Sequence, residues 1–316
     1  MNTLIVLKKS SLILSSLCLF LCLNVSGQPN YPRIPEDAKL IYTDLEHFME
    51  AYDELATNPD TLQVLQTLYF DRGSAGLKEY IRRHQLSPEL MKDALRADPE
   101  RYALLPGFLD TISDTEQMYL ELMKDFSTVL SNAMYPPTYL LVGANRGIGQ
   151  ASGVGQLVTV TRPVDDLQKL KKIMVHELAH FQEAMAMGLP KYASLYTTPN
   201  NLLGMCLREG GAEFVTSLVL GDITQSRSLE FILQDENGLK RKFLEDLETE
   251  TQNREYWLSA TPEDDQHPKL LGYAMGYKIN KAYYDKAADK ATALQDILRM
   301  DDAEVFVTSS GYFDNP

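Results

Sequence analysis

Cysteine is scarce in this 316-residue chain: there are three, and two of them, Cys18 and Cys22, fall inside an apolar N-terminal segment. With that segment set apart Cys206 stands alone, so no intrachain disulfide can form and stability must come from a packed core. Positive charge is also short. Thirty Lys and Arg face forty-four Asp and Glu, a formal net charge of −14, which excludes a sequence-independent grip on nucleic acid phosphates and disfavours anionic membranes. The apolar run from Leu12 to Leu23 is too short to span a bilayer. What the chain does have is 44% apolar residues, enough for one large domain or two small ones.

Residues 1–27 read as a secretory signal. Lys8 and Lys9 supply the positive flank, Leu12 to Leu23 the apolar stretch, and Val25-Ser26-Gly27 a small-residue cleavage site before Gln28. A lipid-attachment box fits less well, because Leu precedes both Cys18 and Cys22. The expectation is export to the periplasm or cell envelope, or secretion, with no transmembrane span in the mature chain. Loss of the two lysines takes the formal charge from −14 to −16.

The stretch 36–134 is helical by pattern. Ile41, Leu45, Phe48, Tyr52 and Leu55 recur at helical steps, Ser87-Pro88 is an N-cap followed by Pro at the first helical position, and Tyr119 to Leu130 mark a longer helix ended by Pro136-Pro137. Thr138 to Gly143 and Gln156 to Thr161 then read as short strands around a glycine-rich connection. From Val164 to Met187 the helical period returns, with Leu167, Leu170, Met174, Leu178, Phe181 and Met185 as a buried stripe, until Gly188 and Pro190 stop it. Helical patterns also cover about 201–220, 239–252, 268–288 and 291–299. The fold class expected is α+β, mostly helical, with a helical N-terminal region (28–136) packed on a core formed by 137–316.

His176-Glu177-Leu178-Ala179-His180 is an HExxH motif inside the strongest helical pattern. Residues four apart share a helical face, so both imidazoles can reach one metal ion while Glu177 sits at the edge of that face. Two imidazoles and a carboxylate suit Zn2+. A catalytic zinc wants a third protein ligand, and no histidine follows at the short HExxHxxGxxH spacing, where Glu183 and Ala186 stand. Glu209-Gly210-Gly211-Ala212-Glu213 supplies carboxylates on a second helical pattern, and its glycine pair allows close helix approach. One Glu can bind the metal while the other accepts a ring N–H from a ligand histidine. His47, His84 and His267 have no ligand spacing and read as surface or core residues.

HELAH, EGGAE and Tyr273-Ala274-Met275-Gly276 together resemble the gluzincin metallopeptidases. More closely, the chain resembles an uncharacterised group of predicted Zn-dependent proteases related to bacterial gliding-motility lipoproteins. Points of similarity run from YFDRGSAGLKEYI (Tyr69 to Ile81) through HELAH, EGGAE and GYAMGY to SSGYF. The resemblance implies a thermolysin-like pair of active-site helices beside a small sheet, with 137–316 as the catalytic region. It also implies His176, His180 and Glu209 as zinc ligands, Glu213 behind them, and Tyr273 as oxyanion donor with Tyr277 as its substitute. The interval from His180 to Glu209 is longer than in aminopeptidase-like gluzincins.

The activity so implied is hydrolysis of a peptide or protein substrate by a zinc-activated water, with Glu177 as general base and then general acid. Gln156 to Thr161 lies just before the HExxH helix, where related folds place an edge strand. Leu157, Val158 and Thr159 would then bind extended substrate through main-chain hydrogen bonds, unless the segment is an ordinary internal strand. The rival reading is a non-catalytic envelope protein that keeps the metal site for structure or partner binding, although such a site has no use for Glu177. Gly143-Ala144-Asn145-Arg146-Gly147-Ile148-Gly149 and the Tyr277/Lys281 pair also resemble short-chain dehydrogenases. That loop, however, leads into a strand where a dinucleotide needs a helix N-terminus.

Overall fold

The computed structural model describes residues 31–198, 201–248, 250–260 and 267–314, and the signal segment expected at 1–27 lies outside them. Before the main strands the chain forms α1 (Thr43–Glu54), α2 (Thr61–Leu65), α3 (Ala75–His84), α4 (Pro88–Ala97), α5 (Pro99–Tyr102), α6 (Leu105–Asp110) and α7 (Ile112–Val129). Side-chain caps fix several starts: Asp60, Ser74 and Ser87 accept from the backbone N–H of Gln63, Leu77 and Leu90, each satisfying a donor the helix itself cannot.

Four strands form one mixed sheet: β1 (Leu40–Ile41), β2 (Thr138–Leu141), β3 (Gly149–Ser152) and β4 (Gly155–Thr159), in the order β1-β2-β4-β3. β2 pairs in parallel with β1 and with β4, in register Thr138 to Gln156, and β3 returns antiparallel on β4. This corrects the edge-strand expectation. β4 is internal, hydrogen-bonded on both sides, and Leu157, Val158 and Thr159 are buried with their backbone committed to the sheet. The edge strands are β1 and, beside β4, β3, which grows out of the glycine-rich connection. Thr159 N–H bonds Ile148 C=O at 2.9 Å, so the antiparallel alternation turns the N–H and C=O groups of Gly149 and Ala151 outward.

After the sheet come α8 (Leu167–Met187), α9 (Leu189–Thr197), α10 (Leu202–Leu220), α11 (Ser226–Gln234), α12 (Glu236–Leu247), α13 (Glu250–Leu258), α14 (Leu271–Lys286), α15 (Lys290–Arg299) and α16 (Ala303–Ser310). The stripe expected for α8 holds only in part. Leu167 is 43% exposed at the helix start, whereas every residue from Met174 to Ala184 is buried, because the sheet and other helices surround this stretch. Gly188 ends α8 at φ 86°, and Pro190 starts α9 rather than a loop.

α10 packs against both α8 and α14, and the α10–α14 crossing is made backbone to backbone. A Cβ on Gly276 would lie 1.7 Å from the Cys206 carbonyl oxygen, and one on Gly210 would lie 2.1 Å from the Gly276 carbonyl carbon. Cys206 is fully buried in this crossing and forms no disulfide. A continuous cluster of buried apolar side chains extends from Ala38 to Tyr312, so the helices before and after residue 137 share one core. Among the described residues no helix is long and apolar enough to cross a membrane.

Candidate metal centre

The middle of α8 and the middle of α10 bring three ligand groups together. One donor atom each from His176, His180 and Glu209 lie within 4.8 Å of one another, all on buried residues. Glu209 Oε2 is 3.0 Å from His180 Nε2 and 3.4 Å from His176 Nε2. Their outer atoms are also engaged: His176 Nδ1 faces Glu213 Oε1 at 3.3 Å, and His180 Nδ1 lies 2.8 Å from Glu183 Oε2. Glu213 in turn accepts from the backbone N–H of Thr224 at 2.6 Å and from its hydroxyl.

Glu177 is buried one residue along the same helix. A Cβ on Gly149 would lie 2.7 Å from its Oε1, and the outward N–H of Ala151 bonds its carboxylate. The β3 edge of the sheet therefore runs directly past this side chain, and glycine at 149 makes the approach possible. Tyr273, on the first turn of α14, lies with its ring parallel to that of His176, centroids 6.1 Å apart, and its hydroxyl is hydrogen-bonded to Glu209. Tyr277, one turn on, packs against Phe214 instead.

The electrostatics are those of a cation site. Glu177, Glu183, Glu209 and Glu213 are all buried, and among the described residues Arg208 is the one fully buried cation. Burial opposes charge on His176, yet hydrogen bonds to Glu209 and Glu213 raise its pKa well above the ordinary value. His180 is raised as well: burial and Arg208 oppose its charge, but Glu209 and Glu183 outweigh them. Burial pushes Glu209 up, but His180, hydrogen bonds from both histidines and Arg208 hold it well below the usual carboxylate range. Burial raises Glu177, against the pull of the two histidines. Burial and Glu209 hold Tyr273 well above its ordinary value. Excess buried carboxylate, with two imidazoles driven toward the cationic form, fits a divalent cation held by N and O donors.

Residue-by-residue reading passed over Glu183, Arg208, Tyr192 and Tyr196, which surround the ligands. A signal was present for two of them: Glu183 falls three residues after His180, on the same helical face, and Arg208 is the one basic residue of the largely apolar α10, next to Glu209. The glycine pair of EGGAE also divides its work. Gly210 makes the helix crossing, whereas Gly211 leaves room for Glu183, whose Oε1 would lie 2.9 Å from a Cβ there. His84 is buried, with Nε2 3.0 Å from Gln150 Oε1, and His267 bonds the Tyr256 carbonyl, and neither belongs to the ligand set.

No curated protein and no solved structure matches the chain. A protein family described as predicted Zn-dependent protease (DUF2268) matches residues 111–306, from the start of α7 into α16, and so takes in HELAH, EGGAE and Tyr273. That span is more than half of the sequence, and the chain belongs to this family of predicted Zn-dependent proteases.

Proposed function

We propose that the mature protein is an exported zinc-dependent peptidase in which α8 and α10 act as a gluzincin-like helix pair beside the sheet. The observation that carries this reading is the position of Glu177. It is an ionisable carboxylate outside the ligand trio, set between that trio and the edge strand β3. A structural zinc site uses four protein ligands and needs no such base. Export rests on the composition of residues 1–27.

His176, His180 and Glu209 would hold the metal, with Glu213 fixing the ring of His176 from behind. When bound, zinc supplies Lewis acidity toward a peptide carbonyl and lowers the pKa of a water to about 7. Glu177, raised by burial, takes a proton from water and returns it to the leaving amine. The Ala151 N–H holds its carboxylate in place during both transfers. Tyr273 stays protonated at neutral pH and can donate toward the carbonyl oxygen as negative charge develops there, a contribution of about 3–4 kcal/mol for donors of this kind. The Ala151 N–H being held by Glu177, the outward groups of Gly149 and the Ala151 C=O are left to offer main-chain hydrogen bonds to an extended peptide, which gives binding with little side-chain preference.

Metal analysis alongside peptide hydrolysis tests this reading in wild type and Glu177→Gln. We expect zinc in both proteins and hydrolysis reduced about 10²- to 10⁴-fold in the variant, the range for loss of a general base. Bound zinc without hydrolysis across a broad peptide library would instead favour a non-catalytic envelope protein.

A further inference from the structure

His180 and Glu209 stand 29 residues apart in the chain, and α9 lies in the middle of that interval, between the end of α8 and the start of α10. Two of its residues, one turn apart, form a corner around the guanidinium of Arg208: the Tyr192 and Tyr196 ring centroids lie 4.2 and 4.3 Å from its central carbon. The Tyr196 hydroxyl also reaches Glu209 Oε1 at 3.3 Å. From this corner Arg208 Nη1 donates to Glu183 Oε2 at 2.8 Å, while Nη2 lies 3.0 Å from His180 Nδ1 and 3.6 Å from Glu209 Oε1. Glu183 and Arg208 are both almost wholly buried.

Two partners thus compete for one ring nitrogen. If Nδ1 of His180 carries hydrogen, it donates to Glu183, and Nε2, which can donate to Glu209 3.0 Å away in the metal-free site, has its lone pair for the metal once that second hydrogen is released. If Nδ1 lacks hydrogen, it accepts from Arg208 and Nε2 carries the proton, which blocks metal binding. A carboxylate 2.8 Å away, held by a buried guanidinium, favours the first arrangement.

We propose that Glu183 and Arg208 are positioning residues: together they set the tautomer of His180 and the aim of Glu209, and α9 is the clamp that keeps Arg208 in place. This rests on the reading of His176, His180 and Glu209 as metal ligands. It assigns a purpose to the long interval between HELAH and EGGAE, and to Gly211, whose missing side chain admits Glu183.

Zinc affinity tests the proposal, measured by competition with a chromophoric chelator on full-length mature wild type, Glu183→Gln and Arg208→Lys. The visible spectrum of each cobalt-substituted protein and the melting temperature of each metal-free protein complete the set. We expect zinc to bind 10- to 100-fold more weakly in Glu183→Gln, the usual cost of losing a partner behind a ligand histidine, with an altered cobalt spectrum. Arg208→Lys should move in the same direction, since an ammonium cannot span Glu183, His180 and Glu209 at once. Should either variant fail to fold, Tyr196→Phe keeps the ring and removes only the hydroxyl, with a several-fold loss of affinity expected at unchanged melting temperature. Affinities within about threefold of wild type, with wild-type cobalt spectra in folded variants, would overturn the positioning role alone. Failure of the wild type to bind zinc would overturn the metal reading and this proposal with it.

Discussion

In α4 the two sides of the helix separate by polarity: Met91 and Ala94 are buried, and Asp93 and Arg96 face solvent. In α8 the stretch from Met174 to Ala184 has no solvent side at all, although it carries two histidines, two glutamates and a glutamine. The first helix is placed by partition between water and core, which tolerates substitution of comparable residues. The second is placed by neighbours that meet most of its polar groups, His180, Gln182 and Glu183 among them, so these residues are explained by specific partners. The same contrast holds for glycines. Gly107 in α6 has nothing within 4 Å of a Cβ position, whereas Gly276 has a backbone carbonyl there.

Substituting those two glycines by alanine should give the widest split between the regions. Gly276→Ala forces α10 and α14 apart and should cost about 3 kcal/mol, at the upper end for overpacking. Gly107→Ala should gain about 0.5–1 kcal/mol from helix propensity. Urea unfolding reads both, and similar midpoints for the two variants would mean that the crossing is not tight. Within the site, Glu209→Ala should lose zinc on dialysis, while Glu213→Ala should keep it with affinity lowered about 10- to 100-fold. The reverse order would exchange the ligand assignment.

A smaller effect follows from proton linkage. In the metal-free protein the pKa values of His176 and His180 are raised. Their contribution to metal-free stability is therefore full below the unfolded value of about 6.5 and lost as pH rises through the folded values. Zinc needs both rings neutral, so its affinity should fall as pH is lowered from about 8 to about 6, with protons released on binding. Calorimetric titration in buffers of different ionisation enthalpy measures that release, and no proton release would contradict it. The smallest change belongs to α4: Ser87→Ala removes a cap and should cost about 1 kcal/mol, with zinc affinity untouched.

The same contrast governs what could be read from sequence. Ser87-Pro88 and the Ile41 to Leu55 stripe are local signals, and α4 and α1 are present where they announce helices, except that Ile41 belongs to β1 and α1 starts at Thr43. β2 and β4 were legible as apolar β-formers between turns. β3 was not, because Gly149-Gln150-Ala151-Ser152 carries no β-branched residue. Which strand lies at the edge depends on how β2, β3 and β4 pair, which no local pattern fixes. α9 was hidden by Gly188 and Pro190, which end one helix but also suit the start of the next. At the site, the HExxH spacing places two imidazoles on one face by helix geometry alone. Glu183 and Arg208 each read as an ordinary charge until α8 and α10 are set side by side.

The α10–α14 crossing has one more consequence. Cys206 is the sole cysteine after residue 22, and its thiol is sealed where the backbones of the two helices touch. Its reaction with an alkylating reagent requires these helices to part. The crossing carries Glu209 on one side and Tyr273 on the other, so the labelling rate of this single thiol becomes a clock for how often the centre comes undone.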